Sequence, residues 1–336
     1  MTEDIWHGGD LAKARALFPA APQPWIDLST GINPIPYPLP ALPLSLWQRL
    51  PGQAEEQALL RAARAAYGVP DGAEIVAAPG TQILIELLPR LVGIGQIAVL
   101  GPTYAEHEAA WRKAGFPVRA ITDLAEARQA GIVVLVNPNN PDGRRMPLPA
   151  LHALAGSLAQ RGGLLVVDEA FCDFTPQHSL VPSVPPNTVV LRSFGKSYGL
   201  AGLRLGFAIG EAQPMQRLRE ALGPWAVAGP ALQIGAQALA DAAWLRLAAA
   251  AREADAARLD AMLVRCGVVV GGTALFRLLE TDNAAQLFER LGRHGVYVRR
   301  FQHDPRRLRF GLPGDSAQWA RLERAICDGP PAPDAA

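Results

Sequence analysis

The sequence predicts an α/β fold, a mostly parallel sheet covered by helices on both faces, with a smaller α+β domain after it. Three observations predict this. Short apolar runs alternate with stretches of helical spacing; the runs are apolar at successive positions, as in strands buried on both faces; and beyond a long Ala/Leu/Arg segment the pattern changes.

The first forty-odd residues, including "FPAAPQPWIDLSTGINPIPYPLPALPLSLW", hold too much proline for regular helix and predict an extended N-terminal arm over residues 1–45. From residue 54, "AEEQALLRAARAAYGVP" has helical spacing and ends in Gly-Val-Pro, a helix with its stop signal. The runs "AEIVAA", "QIAVLG", "GIVVLVN", "GGLLVVDEA", "TVVLRSF" and "LGFAIG" supply the strands of a large domain, residues 46–230. Residues 231–265 read as a long helical pattern leading into a small C-terminal domain, residues 231–328. There "CGVVVGGTALFRLLE", "AAQLFERLGRHG", "VYVRRF" and "RLRFGLP" suggest an α+β unit. Residues 329–336 read as a disordered tail, and no internal repeat is evident.

With 336 residues and 49% hydrophobic content, the chain is long enough to bury a large core. A net charge of +1 gives no field that favours nucleic acid or an anionic membrane, so neither is expected as a partner. The start "MTEDIWHGGD" lacks the apolar run of a secretory signal, and no segment is apolar for long enough to span a bilayer, which makes the cytoplasm the expected compartment. Cys172, Cys266 and Cys327 form no CxxC pair and the histidines are scattered, so no metal is expected.

Lysine is rare here: Lys13, Lys113 and Lys196 stand against a Lys+Arg total of 32. Only lysine can lose its proton near neutral pH and act as an amine nucleophile, so Lys196, set in "VVLRSFGKSYGLAGLRLGFAIG", reads either as a chemical residue or as an exposed loop lysine. Ligands of open α/β sheets bind beyond the carboxyl ends of the strands. At those places stand Asp168, a carboxylate for a ligand or a cap for the next turn; Asn137, Asn139 and Asn140 in "NPNNPDG", amides for a ligand or merely a turn; and Gly80-Thr81, opening a helix whose N–H groups suit an anion. Ser193 and Arg204 flank Lys196 and could hold a phosphate. Pyridoxal 5'-phosphate would use the whole set, because its aldehyde needs a lysine, its ring nitrogen a carboxylate and its phosphate donors.

The segments "WHGGD", "IDLSTGINP", "NPNNPDG", "VVDEAFCDF" and "SFGKSYGLAGLRLG" together resemble the aspartate-aminotransferase superfamily of fold type I pyridoxal-phosphate enzymes, over nearly the whole chain. Within it, "HGGD", "INP" and "DEAFCDF" resemble the threonine-phosphate decarboxylases of cobalamin biosynthesis, relatives of the histidinol-phosphate aminotransferases. The resemblance implies that Lys196 binds the cofactor aldehyde, Asp168 pairs with the ring nitrogen and Asn140 contacts the phenolic oxygen. It implies that Ser193, Arg204, Gly80 and Thr81 hold the cofactor phosphate and that Tyr104 stacks on the ring, though Tyr104 also reads as a core aromatic. Arg309 matches a clamp on the substrate carboxylate and Arg299 a second anion-binding arginine; the other reading of Arg299, Arg300, Arg306, Arg307 and Arg309 is a solvated basic edge, which fits Arg306 and Arg307. His7, Gly8, Ser29 and Asn33 would belong to an arm folding over the substrate, with a surface residue as the other reading of His7.

Four positions depart from the usual pattern. Phe171 replaces a tyrosine common among the aminotransferases, which favours the decarboxylase subgroup. Leu50 stands where relatives carry a tyrosine that reaches across a dimer; Asp142 replaces a threonine, and Gly195 a serine or threonine. The function implied is decarboxylation of L-threonine O-3-phosphate to (R)-1-amino-2-propanol O-2-phosphate by a cytoplasmic homodimer. The alternatives are an aminotransferase acting on a phosphorylated substrate such as histidinol phosphate, and, with less support, a non-catalytic module of the same fold.

Overall fold

A computed structural model describes residues 5–92 and 95–327. In chain order these form α1 (Leu11–Leu17), β1 (Ile26–Leu28), α2 (Ser45–Gln48), α3 (Gln53–Tyr67), β2 (Glu74–Ala78), α4 (Thr81–Leu91), β3 (Ile97–Leu100), α5 (Ala105–Lys113), β4 (Val118–Ile121), β5 (Ile132–Val136), α6 (Leu148–Ala159) and β6 (Leu164–Asp168). There follow β7 (Thr188–Ser193), α7 (Phe194–Ser197), β8 (Gly206–Gly210), α8 (Ala212–Leu222), α9 (Gly229–Ala240), α10 (Ala242–Leu263), β9 (Val268–Thr273), β10 (Phe276–Glu280), α11 (Ala284–Arg293), β11 (Val296–Arg300), β12 (Arg307–Gly311) and α12 (Ser316–Cys327). Two units result. The larger holds Pro36–Asn140 and Arg144–Leu247; the smaller holds the chain up to Ile35, the loop Pro141–Gly143 and the chain from Ala248 onward.

In the larger unit the described strands form a seven-stranded sheet in the order β2-β8-β7-β6-β5-β3-β4. All run parallel except β8, which is antiparallel to both neighbours. The six apolar runs of the sequence are six of these strands. The seventh, β4, has Arg119 and Ala120 exposed, and as an edge strand paired on one side it needs no continuous apolar run. Successive side chains point to opposite faces. In β5, Val133 and Leu135 join a core with α3, α6 and α9, while Ile132 and Val134 join another with α4, α5 and α8. That is the two-faced burial the sequence pattern required. Helix α3 ends at Gly68, whose φ of 65° places it in the left-handed region where a C-terminal glycine stops a helix.

In the smaller unit the described strands form a five-stranded sheet, β1-β11-β12-β10-β9, antiparallel except where β1 runs parallel to β11. Helices α10, α11 and α12 bury Leu259, Leu287, Leu291, Trp319 and Leu322 against Leu279, Val298, Leu308 and Phe310. The loop Pro141–Gly143 packs on β9 so closely that a Cβ on Gly143 would lie 1.9 Å from the carbonyl oxygen of Gly272.

This division differs from the expected one. The N-terminal segment is no separate arm, because α1 buries Ala14 and β1 pairs Ile26, Asp27 and Leu28 with Val296, Tyr297 and Val298. The segment 231–265 is two helices rather than one. They part at Asp241 (φ −92°, ψ 70°), whose Oδ1 accepts the Trp244 N–H at 2.9 Å, and α9 packs with the larger unit through Ala231, Leu232 and Leu239. The tail 329–336 lies outside the described residues. Among the described residues no helix is long and apolar enough to cross a membrane.

Candidate active site

In the larger unit, strands β2, β3, β5, β6 and β7 run in one direction, so their carboxyl ends share one edge of the sheet; β8 runs the other way and begins at that edge. This topology gathers Gly80 and Thr81 after β2, Tyr104 after β3, Asn140 after β5, Asp168 at the end of β6, Ser193 and Lys196 at and after the end of β7, and Arg204 just before β8. Long-range convergence of this kind needs no local sequence signal beyond the strands themselves.

Asp168 is buried, and its two oxygens are engaged separately: Oδ1 accepts the Ala170 N–H at 2.9 Å and Oδ2 lies 2.9 Å from Nε2 of buried His107. Sequence reasoning missed His107. Its signal was position, three residues after Tyr104 at the start of α5, one turn into a helix that begins at the site edge. Lys196 stands in the single turn of α7, with Nζ 5.7 Å from the centroid of the Phe171 ring. Gly195 before it is required by packing, since a Cβ there would lie 2.7 Å from the Cα of Ala201.

An anion corner lies at the N-terminus of α4. Gly80 has φ 88°, and a Cβ on it would fall 2.5 Å from Nη2 of Arg204; one on Gly206 would fall 2.7 Å from the Thr81 nitrogen. The guanidinium therefore sits directly against the first turn of an eleven-residue helix, whose open N–H groups and positive dipole end favour a phosphate. Arg204 itself has φ 54° and donates from Nη1 to the Ala201 carbonyl at 3.0 Å, which aims the fork.

Two of the three asparagines build the turn itself. Asn137 Oδ1 accepts the Met146 N–H at 2.8 Å; Asn139 accepts from the Thr103 hydroxyl at 2.6 Å and donates to the Pro102 carbonyl at 3.0 Å. Asn140, half-buried, follows them at the end of this segment of the larger unit. Tyr104 is also half-buried, its hydroxyl donating to Gln82 Oε1 at 3.1 Å and its ring edge-on to His107.

In the smaller unit, Arg309 on β12 is opposite Arg299 on β11 in the ladder, so both side chains take the same face. Arg309 is buried, donates from Nη2 to the Ser29 carbonyl at 2.9 Å and lies 5.1 Å from the Phe276 ring centroid. Ser29 accepts the Gly9 N–H on Oγ at 2.7 Å, and Gly8 approaches it so closely that a Cβ would lie 2.3 Å from its carbonyl oxygen. His7, exposed, lines a small pocket with Lys13, Ser29, Arg299 and Arg300. Asn33 instead has its Oδ1 taken up by the Ile35 N–H at 3.0 Å and by Arg252 Nη1 at 3.1 Å. Arg306 and Arg307 pair with Glu280, Asp282 and Asp304 on the unit's edge.

The set in the larger unit fits a group with an aldehyde, a basic ring nitrogen and a phosphate. An amine, a buried carboxylate backed by a histidine, and a glycine-lined arginine corner on a helix N-terminus supply a partner for each.

A family model described as aminotransferase class I and II matches residues 51–326. The threonine-phosphate decarboxylase of Pseudomonas aeruginosa is 45% identical over 95% of this chain and 96% of its own length. That of a Sinorhizobium species is 44% identical over 97% and 98%. Among solved structures, the histidinol-phosphate aminotransferase from Clostridium acetobutylicum superposes with a TM-score of 0.77, covering 90% of this chain and 98% of that one at 21% identity.

Proposed function

Because the chain belongs to the aminotransferase class I and II family, we propose that it is a pyridoxal-phosphate-dependent enzyme that decarboxylates L-threonine O-3-phosphate to (R)-1-amino-2-propanol O-2-phosphate, for the aminopropanol linker of cobalamin. The observation that carries this reading is 45% identity to a threonine-phosphate decarboxylase across nearly the whole of both chains. The likeness to a histidinol-phosphate aminotransferase structure at 21% identity speaks for the fold alone.

Bound pyridoxal phosphate supplies an electron sink for the bond broken at the substrate's Cα. In this reading Lys196 holds the cofactor through its amine and serves the proton at Cα. Asp168, fixed by His107 and the Ala170 N–H, would pair with the ring nitrogen. Arg204, Ser193 and the Gly80-Thr81 turn would hold the cofactor phosphate, Asn140 would serve its phenolic oxygen and Tyr104 its ring. Arg309 orients the substrate carboxylate and Arg299 takes its second anion, with His7, Gly8 and Ser29 around them. Asn33 is the further member of that segment, and its Oδ1 accepts from the Ile35 N–H and Arg252. By orienting the substrate, Arg309 and Arg299 would decide which bond at Cα breaks. Phe171 next to Lys196 offers no phenol to the cofactor's oxygen, which suits loss of CO₂ better than the proton shuttling of transamination.

A homodimer is part of the proposal, supported by the exposed apolar side chains of Leu39, Leu44, Trp47, Leu50 and Trp225 in the larger unit, and the cytoplasm is its proposed compartment. Threonine phosphate without any keto acid should yield CO₂ and aminopropanol phosphate in equal amounts. If the cofactor is instead converted to pyridoxamine phosphate by histidinol phosphate, with no CO₂ from threonine phosphate, the aminotransferase reading takes its place.

A further inference from the structure

The larger unit holds a buried ionic cluster between the turn after β6 and the end of β7. Arg192, next to last in β7 and 2% exposed, donates from Nη1 to Glu169 Oε2 at 2.8 Å and to Ser179 Oγ at 3.2 Å, and from Nη2 to Asp173 Oδ1. Its guanidinium lies 4.4 Å from the centroid of the Tyr67 ring. Glu169 also accepts from the Ser179 hydroxyl and the Leu180 N–H, both at 2.6 Å. Burial pushes the Glu169 and Asp173 carboxyls up, and the Arg192 guanidinium opposes this in both; at Asp173 the Ser197 hydroxyl opposes it as well.

Glu169 and Asp173 belong to the turn that begins at Asp168 and carries Phe171, whereas Arg192 lies four residues before Lys196 and Ser197 directly follows it. A buried ion pair is a poor way to gain stability, since apolar residues of similar volume often do as well or better. What it supplies is direction: a planar fork with two carboxylates fixes two backbone segments against each other.

We propose that Arg192 and Asp173 are positioning residues for the reaction: their ion pair locks the turn bearing Asp168 and Phe171 to the strand end bearing Lys196, and so fixes how carboxylate, ring and amine face one ligand. This rests on the reading that Lys196 holds the cofactor. In the holoenzyme, Asp173→Ala should lower kcat about 100-fold, as misplacement by about 1 Å does. KM for threonine phosphate should stay within about a factor of three, because its proposed anion clamps are in the smaller unit. The visible circular dichroism of the bound cofactor should fall, and the apoenzyme should take up pyridoxal phosphate more slowly. Asp173→Asn keeps an acceptor for the guanidinium and should recover kcat to within about tenfold of the parent. Parental kcat, dichroism and uptake in Asp173→Ala would overturn the proposal, as would an asparagine variant no better than the alanine one. Should Asp173→Ala fail to fold, Arg192→Lys replaces the fork by a point charge and is read by the same three measurements with the same expectations. Borohydride reduction of the parent enzyme separates the two claims: a pyridoxyl group on any lysine other than Lys196 removes the underlying reading, whereas Lys196 labelling with unaffected variants removes only this inference.

Discussion

The two units assemble their site residues by different means. In the larger, the candidate residues close or follow the carboxyl ends of parallel strands, except Arg204, which precedes the reversed β8, so all of them come to one edge of the sheet. In the smaller, Arg299 and Arg309 lie within strands, and they meet only because the β11–β12 register sets them opposite each other. A one-residue slip would turn one of them to the other face. Strand ends tolerate loop changes around a fixed point, while mid-strand pairs depend on a ladder. In the proposed function the larger unit's set serves the cofactor and the smaller unit's set the substrate.

Five substitutions break or sharpen that contrast. Lys196→Ala should lower turnover by about four orders of magnitude or more and abolish the borohydride-reducible bond to protein, while weak cofactor binding survives. Asp168→Asn should lower kcat about 100- to 1,000-fold with the fold intact, judged by the thermal unfolding midpoint; near-parental turnover would remove its electrostatic role. Arg309→Lys should lower kcat/KM for threonine phosphate about 100-fold and leave the cofactor's absorbance spectrum as it was, because the planar fork and not the charge fixes orientation. A changed spectrum there would break the division of labour. Phe171→Tyr should leave turnover of the same order but move the cofactor's visible absorbance change to lower pH, since a phenol donor favours the deprotonated form. Arg306→Ala, on the solvated edge with Glu280 and Asp282, should change stability by no more than about 0.5 kcal/mol and leave kinetics unchanged.

The same contrast explains what could be read in the sequence. The six apolar runs announced six strands because burial on both faces leaves no room for polar alternation. Lys196 stood out because arginine is the default cation elsewhere in the chain. His107 did not stand out, since a buried histidine and a surface one look alike when the carboxylate it meets is sixty-one residues away. Register was illegible for the same reason: "VYVRRF" and "RLRFGLP" hold two arginines each, and although the resemblance singled out Arg299 and Arg309, only the pairing sets them opposite each other. The N-terminal segment misled because its prolines speak against helix but are silent about Trp25-Ile26-Asp27-Leu28, a short stretch that finds a partner strand at the far end of the chain. The break at Asp241 was hidden within an alanine-rich run that favours helix on either side.

That distant pairing has a consequence for how the molecule is made. Residues 26–28 leave the ribosome early, yet β11, to which they add in parallel, is not synthesised until nearly the whole chain has emerged, on the order of tens of seconds later at usual rates. The first strand to be translated is thus an orphan until then, as β2 of the larger sheet is until β8 is made, whereas β3 to β7 pair with strands close to them in the chain. A release of the chain before β11, at any earlier codon, would leave β1 without its partner strand and the smaller unit without Arg299 and Arg309 altogether, however complete the larger unit had become.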